Sequence, residues 1–203
     1  MSKNTKTPLL IRTFVALRSV DPGFSSRNVT KMDMSVQGTR FEKTATLGQM
    51  VQQATEELER MPGVEEAAPA CSVPLAVEFA MPFTVVRHSP LDSRGEAMWV
   101  SVSPQYFDVF EIPVLRGRRF DERDRQDSPP VVMINEAMAR KYWPNNDPLG
   151  EQIDIGKGMG PEFEDAPRVV VGIVRNVREV SLDRPRLQRC ICPSPNCWTT
   201  RRR

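Results

Sequence analysis

The chain has 203 residues, of which 39% are hydrophobic and 27% charged, and its formal net charge is +2. This composition is typical of a globular protein with one medium or two small cores. The near balance of charge argues against nucleic acid or an acidic substrate as the partner. Four cysteines, three of them crowded near the C-terminus, do not form the spaced framework of a disulfide-rich protein.

The N-terminal segment predicts a helix. Apolar residues recur with helical spacing at Leu10, Phe14 and Leu17, and Asp21-Pro22-Gly23 ends the pattern because proline cannot continue a helix. No stretch reaches the roughly 18 to 20 apolar residues that span a bilayer, and no signal-peptide cleavage site follows. The helix is either packed on a core or is the end of a membrane helix whose upstream part is absent. Expressed alone, the chain is expected in the cytoplasm.

The next segments predict a helix between two strands. Val29 to Val36 alternates apolar and polar residues, which indicates a half-buried strand. Thr46 to Met61 carries its apolar residues on one helical face and begins with the capping-box pair Thr46 and Gln49. Val64 to Pro74 predicts a return strand, so the three elements would form a βαβ-like unit.

The second half predicts further strands and two short helices. Strands are predicted within residues 83–88, 97–103, 131–134, 152–155 and 169–174. Ser103 is the predicted cap of a helix that starts at Pro104, and Asn135 is the predicted cap of a helix over residues 136–143. Residues 184–203 have no periodicity, several prolines and a basic cluster, and they are predicted to be disordered.

The search for catalytic chemistry returns no catalytic, cofactor-binding or metal-binding residues. The single histidine, His88, excludes two-histidine metal motifs, and no serine lies in a nucleophile-elbow motif. The glycine-rich segment from Gly156 to Gly160 lacks the Walker spacing and is followed by acidic residues, so it is predicted to be a hairpin tip. The charged run from Arg116 to Asp127 is interpreted as a solvated surface loop.

The C-terminal cysteines leave one metal hypothesis open. Cys190, Cys192 and Cys197 resemble half of a zinc cluster, but a fourth ligand is missing and the spacing between the first two is not that of a zinc knuckle. Chance clustering is therefore favoured over a zinc-binding protein.

Several segments in order resemble the MacB-like periplasmic core domain of ABC-transporter permeases of the MacB/FtsX type. The similar segments are LLIRTFVALRSVDPGF (9–24), WVSVSPQYFDVFEIPVLRGRRFDERD (99–124), PPVVMINEAMARKYWPNNDPLGEQI (129–153), IGKGMGPEF (155–163) and VVVGIVRNVRE (169–179). The resemblance implies an α+β fold with mixed sheets, βαβ-like units, a two-lobed core and an N-terminal helical stalk. It also implies structural jobs for matched residues: turns at Gly117 and Gly150, packing by Tyr106, Phe120 and Trp143, and the helix cap at Asn135.

The resemblance implies a non-catalytic domain in the periplasm, between the first and second helices of an inner-membrane permease half. It would couple the motion of those helices to substrate export or to partner proteins. The implied partners are the membrane helices and the ATPase subunit or domain of the parent transporter. A periplasmic adaptor protein is a further candidate partner, and the parent permeases are expected to be dimeric. No cofactor and no nucleic acid are implied.

The chain departs from the family pattern at both ends. We expect an N-terminal helix over residues 1–24, a core domain over 25–183 and a disordered tail over 184–203. The family continues through a proline-rich link into a strand of the type MYVP and a second membrane helix, whereas this chain continues as RPRLQRCICPSPNC. That change indicates a frameshifted tail and a truncated product. The alternative function is a free-standing peptide- or lipid-binding α+β module that buries the helical stripe.

Overall fold

The computed structural model describes residues 12, 15–16, 18–34, 44–76, 79–86, 94–121, 123–124, 128–160, 166–178 and 187–193. Within these residues the strands are β1 (Phe79–Val85), β2 (Arg94–Val102), β3 (Val114–Gly117), β4 (Val131–Asn135), β5 (Gln152–Ile155), β6 (Arg168–Val174) and β7 (Arg189–Pro193). The helices are α1 (Thr44–Glu59), α2 (Tyr106–Val109) and α3 (Glu136–Tyr142).

Six of the strands close into a ring. Around it, β1 pairs with β2, β2 with β7, β7 with β4, β4 with β6, β6 with β5, and β5 again with β1. The β2–β7 and β4–β6 pairs are parallel and the other four are antiparallel, so the sheet is mixed. Strand β3 lies outside the ring and pairs with the C-terminal half of β6. With its helices, this sheet confirms the predicted α+β class.

Alternate residues of the strands supply two apolar clusters, because successive side chains of a strand point to opposite faces. One cluster fills the ring; it includes Phe83, Val132, Ile134, Ile153, Val170 and Cys190, and Met138 and Trp143 from the α3 region close one end. The other covers an outer face of the ring, where Tyr106 and Phe107 of α2 pack beside Phe120, Met133, Val174 and Ile191. The packing roles predicted for Tyr106, Phe120 and Trp143 are confirmed, since all three are buried.

Strand β7 corrects the prediction for the C-terminal tail. Residues 189–193 are all buried and form the strand between β2 and β4, so the prediction of disorder is wrong for them. Five residues are too few to show a period, and cysteine packs as a small apolar residue there. The strand ends in Pro193. Residues 194–203 lie outside the described part, and the frameshift stays a prediction.

The predicted βαβ unit around α1 is also wrong. Residues 29–34 of the first predicted strand belong to no strand, and residues 35–36 lie outside the described part. In the predicted return strand only Ala70 forms a β-bridge, to Val102. Among the described residues neither segment is assigned as a strand, so alternation of apolar and polar residues alone does not make a strand. The parallel crossover that the structure does contain runs from β4 through α3 and β5 to β6.

The helix predictions fare better. Helix α1 lies where it was predicted, with Leu47 buried, although Met61 lies beyond its end and is exposed. The Asn135 side chain caps α3 by accepting a 3.0 Å hydrogen bond from the Met138 amide. The predicted Ser103 cap of α2 is wrong, since no side chain caps this helix. The backbone oxygen of Ser103 accepts a 3.1 Å hydrogen bond from the Tyr106 amide.

The N-terminal helix can be followed only in part. Arg12, Val15, Ala16 and Arg18 are helical and exposed, while Leu10, Phe14 and Leu17 lie outside the described residues. In the part of the chain that the structure covers, no helix is both long enough and apolar enough to cross a bilayer.

Candidate functional site

The segment that follows the N-terminal helix is fastened to one end of the ring. The backbone oxygen of Pro22 accepts a 2.9 Å hydrogen bond from the Arg178 amide, just after β6. Asp21 accepts a 2.8 Å bond from the Arg175 guanidinium, and both side chains are about half exposed. An exposed ion pair contributes little to stability, so the backbone contact does more to fix the segment.

Gly23 makes the closest contact of this attachment. Its φ is +83°, and a Cβ atom placed on it would lie 2.1 Å from the backbone oxygen of Asn176. Only glycine permits both this conformation and this approach. Phe24 continues the attachment by packing edge-on against Phe110, with ring centroids 6.1 Å apart.

Asn176 connects the attached segment to helix α3. Its side chain is fully buried, and its Oδ1 accepts a 2.8 Å hydrogen bond from the Ala137 amide. The backbone amide of Asn176 donates to the Glu136 carboxylate at 3.1 Å. Both partners lie in the first turn of α3, where free backbone amides and a negative side chain are satisfied by such contacts.

Asn135 carries the connection on to β7. Besides capping α3, its Oδ1 accepts a 3.1 Å hydrogen bond from the Arg189 amide. Its Nδ2 donates a 2.7 Å bond to the backbone oxygen of Leu187. The buried amide therefore uses both ends of its side chain, and it joins the start of α3 to the start of β7.

We call Gly23, Asn135, Glu136 and Asn176 the junction. Strands β4 and β6 are parallel and β7 is antiparallel to β4, so the ends of β4 and β6 and the start of β7 lie at one end of the ring. The junction therefore links residues 21–23, which attach to the ring, to the strand that starts at residue 189, through the contacts of Asn176, the start of α3 and Asn135. The junction contains no nucleophile paired with a base.

The charged segment after β3 was predicted to be a solvated surface loop, and one of its carboxylates, Asp124, is buried instead. Asp124 is buried and accepts two 2.7 Å hydrogen bonds from the Arg118 guanidinium. Arg123 hydrogen-bonds Asp121 and holds the pKa of that carboxyl far below its usual range. The hydrogen bonds between Arg118 and Asp124 thus hold the start of this loop beside β3. The exposed pair of Arg123 and Asp121 contributes little to the stability of the fold.

The structure describes only some of the residues that were considered for catalysis, phosphate binding or metal binding. His88 and Cys197 lie outside the described residues. Gly156 donates its amide to the Pro82 oxygen in the turn after β5, and Lys157 lies 3.5 Å from the Asp154 carboxylate. This part of the segment is the turn that the sequence predicts, with a neighbouring carboxylate where a phosphate would need positive charge.

The remaining cysteines are placed unfavourably for zinc. Cys190 and Cys192 are packed in the interior of the ring, and burial raises the pKa of Cys190 to about 12. Zinc binds the thiolate, so a thiol that keeps its proton is a poor ligand. Among the described residues, no cluster of three or more histidine, cysteine or acidic side chains is suited to a metal ion.

Of the four junction residues, the sequence predicts a structural role for Asn135 alone, as a helix cap. Asn135 was predicted as a cap, but not its bonds to Leu187 and Arg189. The sequence signal for Asn176 is its position two residues after the apolar run that ends at Val174. A polar residue at such a position is a candidate for burial, and a buried polar side chain needs a specific hydrogen-bond partner.

Comparison with known proteins connects this architecture to a family of transporters. The sequence model of the MacB-like periplasmic core domain matches residues 14–188. The macrolide export ATP-binding/permease protein MacB of Neisseria gonorrhoeae is 34% identical over 74 residues, which is 36% of this chain and 10% of that protein. The ABC transporter permease YvrN of Bacillus subtilis has the same identity over the same length, 16% of its own chain. The chain thus matches only a small part of these curated relatives.

Two solved structures are similar. The periplasmic region of MacB from Actinobacillus actinomycetemcomitans superposes with a TM-score of 0.49 at 20% identity, covering 71% of this chain and 55% of that one. The extracellular domain of the ABC-type transporter YknZ from Gram-positive bacteria also gives a TM-score of 0.49, at 18% identity, covering 70% of this chain and 62% of that one.

Proposed function

The chain belongs to the MacB-like periplasmic core domain family, and we propose that it passes movement between the membrane helices of an ABC-transporter permease and the space outside the membrane. The family is that of a domain on the periplasmic side of a membrane permease. The proposal adds what this domain does there: it couples helix motion to substrate export or to a partner protein, and it carries out no chemical reaction.

The junction is the observation that supports this proposal. In the permeases that the chain resembles, the domain lies between the first and second membrane helices, so the chain enters from one helix and returns to the other. Here the incoming segment contacts Asn176 at Gly23, and the strand near the returning side is hydrogen-bonded to Asn135. A displacement of either segment therefore meets the same small group of buried residues.

The closed ring gives the junction a firm support. Every strand of the ring is hydrogen-bonded on both sides, and its interior is filled by apolar side chains. Packed interiors resist compression and move as units. Movement of the N-terminal helix is then passed to β7 and α3 through the junction instead of being absorbed by the core. The proposed partners are the membrane helices, the ATPase subunit or domain, and an adaptor protein outside the membrane.

The domain boundaries proposed from this arrangement differ from the expected ones at the C-terminal side. The N-terminal helix still precedes the core, which starts near residue 25. The core, however, has to include β7, because the ring is closed by its pairing with β2 and β4. We therefore place the end of the core at Pro193 or beyond.

Amide hydrogen exchange tests the coupling through the junction. Gly23→Ala places a methyl group against the Asn176 oxygen, and the three atoms nearest to the added Cβ belong to Asn176 and Val177, not to β7. We expect exchange of the Arg189 amide, which donates to Asn135, to rise by about tenfold or more. The Gly156 amide, which donates to Pro82 at the turn after β5, is the internal reference for global unfolding. Its protection should fall less than that of Arg189.

Gly63→Ala is the matched control. Gly63 also has a positive φ, of +88°, but no atom lies within 4 Å of the added Cβ. This variant should leave the ratio of exchange at Arg189 and Gly156 unchanged. Equal loss of protection at the two amides in Gly23→Ala would contradict coupling through the junction.

A further inference from the structure

Two methionines on the segment before α1 are placed unlike the methionines of the core. Met32 is 74% exposed and Met34 is 62% exposed, whereas Met133 and Met138 are fully buried. Exposed apolar side chains that lie next to each other are more informative than scattered ones, because contiguous exposed patches often mark a site of interaction.

The ion pair next to them shows which way these side chains point. Lys31 Nζ lies 2.9 Å from the Asp33 carboxylate, so residues 31 and 33 project to the same side of the chain. Residues 29–34 form no helix, turn or bend, and in an extended backbone successive side chains alternate, which places Met32 and Met34 together on the opposite side. The ammonium group of Lys31 is paired with the Asp33 carboxylate, which offsets its repulsion of a nearby cation.

The spacing suits one ion held by two sulfur atoms. Residues two apart in an extended chain have Cα atoms about 6.6 Å apart, at roughly 3.3 Å per residue. Each methionine side chain has three rotatable bonds and a polarizable thioether, so the two Sδ atoms can converge on one ion in front of the backbone. Because both side chains face solvent, the ion enters without any rearrangement of the core.

We propose that Met32 and Met34 form a binding site for a soft monovalent cation of the Cu(I) class. Thioether sulfur is a soft ligand that selects Cu(I) over the harder divalent ions. It carries no proton at any pH at which the protein is folded, so affinity stays constant where a thiolate or imidazole site would lose it on acidification. This site is independent of the junction and of the proposed coupling.

Silver(I) nitrate in chloride-free buffer is the probe, because Ag(I) has the same charge and softness and does not cycle between oxidation states. The full chain is labelled with ¹³C at the methionine methyl groups, and its exposed thiol at Cys71 is first blocked with N-ethylmaleimide. We expect the methyl signals of Met32 and Met34 to shift together and to saturate with one equivalent of Ag(I). The midpoint should be the same at pH 5 and pH 7.

Single substitutions separate a two-sulfur site from independent methionines. In Met32→Leu the shift of Met34 should need at least about tenfold more Ag(I), because the second ligand no longer acts at high effective concentration. Met61→Leu is the control, since Met61 is 53% exposed and lies elsewhere, after α1; it should leave the midpoint unchanged. The proposal is overturned if Met61 titrates at the same concentration as Met32 and Met34, or if Met32→Leu leaves Met34 unaffected.

Discussion

Asn135 Nδ2 donates a 2.7 Å hydrogen bond to the backbone oxygen of Leu187, 52 residues later in the sequence. The same side chain accepts from Met138, inside the helix that it caps, and from Arg189, at the start of β7. One buried amide thus fixes the relative positions of a helix start and a strand start.

Asn135→Ala should destabilise the protein by about 2 to 4 kcal/mol. The variant loses a helix cap and leaves the Arg189 amide and the Leu187 oxygen without this partner. Urea unfolding measures the change. Asn146→Ala is the control because Asn146 is exposed, and it should change stability by less than about 0.5 kcal/mol. Similar values for the two variants would mean that the Asn135 bonds add nothing to the fold.

Gly23→Ala should cost more than Gly63→Ala by at least about 1 kcal/mol. Both glycines have positive φ, so both variants carry the left-handed backbone penalty of about 1–2 kcal/mol. Only at Gly23 does the added methyl group also meet a backbone oxygen, 2.1 Å away. Chemical denaturation of the two variants isolates this contact. If they unfold at the same denaturant concentration, the N-terminal segment does not press against Asn176.

Ending the chain after Gln188 should abolish cooperative unfolding. The truncated chain lacks β7, so β2 and β4 lose the strand that joins them and both apolar clusters are opened to water. Near-ultraviolet circular dichroism and a thermal scan report the loss of fixed packing. A chain that ends after Pro193 keeps β7 and should retain a sharp transition. A folded, cooperative chain of residues 1–188 would show that β7 is dispensable.

The thiols should differ in reactivity and in their effect on stability at high pH. Near neutral pH, N-ethylmaleimide should label the exposed Cys71 in the folded protein and Cys190 only on unfolding, which mass spectrometry of peptides resolves. The pKa of Cys190 is raised from 9.0 to about 12 by burial. Between these values the unfolded chain has lost a proton that the folded chain keeps, so stability falls as pH rises.

Cys190→Val tests the origin of that slope. Valine keeps an apolar side chain of similar size in β7 and has no proton to lose. The variant should lose stability less steeply than the parent chain between pH 9 and 12. Parallel slopes for the parent and Cys190→Val would exclude the buried thiol as the cause.

Local sequence patterns predicted the elements whose signals lie within neighbouring residues. The helix around Leu47, the run from Val131 to Ile134 and the cap at Asn135 each depend on neighbouring residues, and the structure confirms them. The predictions failed where contacts with residues distant in sequence determine whether a segment forms a strand. Met32 and Met34 alternate with polar residues as in a strand, but none of the described strands includes them or pairs with them. Cys190 and Cys192 show no period, yet they lie in a strand between two others.

The junction was predictable only in part for the same reason. A helix cap is a contact over three residues, and sequence spacing reveals it. The contact between Gly23 and Asn176 joins residues more than 150 positions apart, and nothing near Gly23 distinguishes it from an ordinary turn glycine. The resemblance to a transporter domain supplied the fold class, but not these contacts.

The place of β7 in the ring has a consequence for biosynthesis. A ribosome releases β2 and β4 long before it releases residues 189–193, so the nascent chain carries two strands whose facing edges have no partner. Exposed edges of this kind invite pairing with other chains. Folding therefore depends on β7 closing the ring late, through contacts that are long-range in sequence. A chain secreted or bound by a chaperone before β7 is added would have an open ring and would be prone to aggregate.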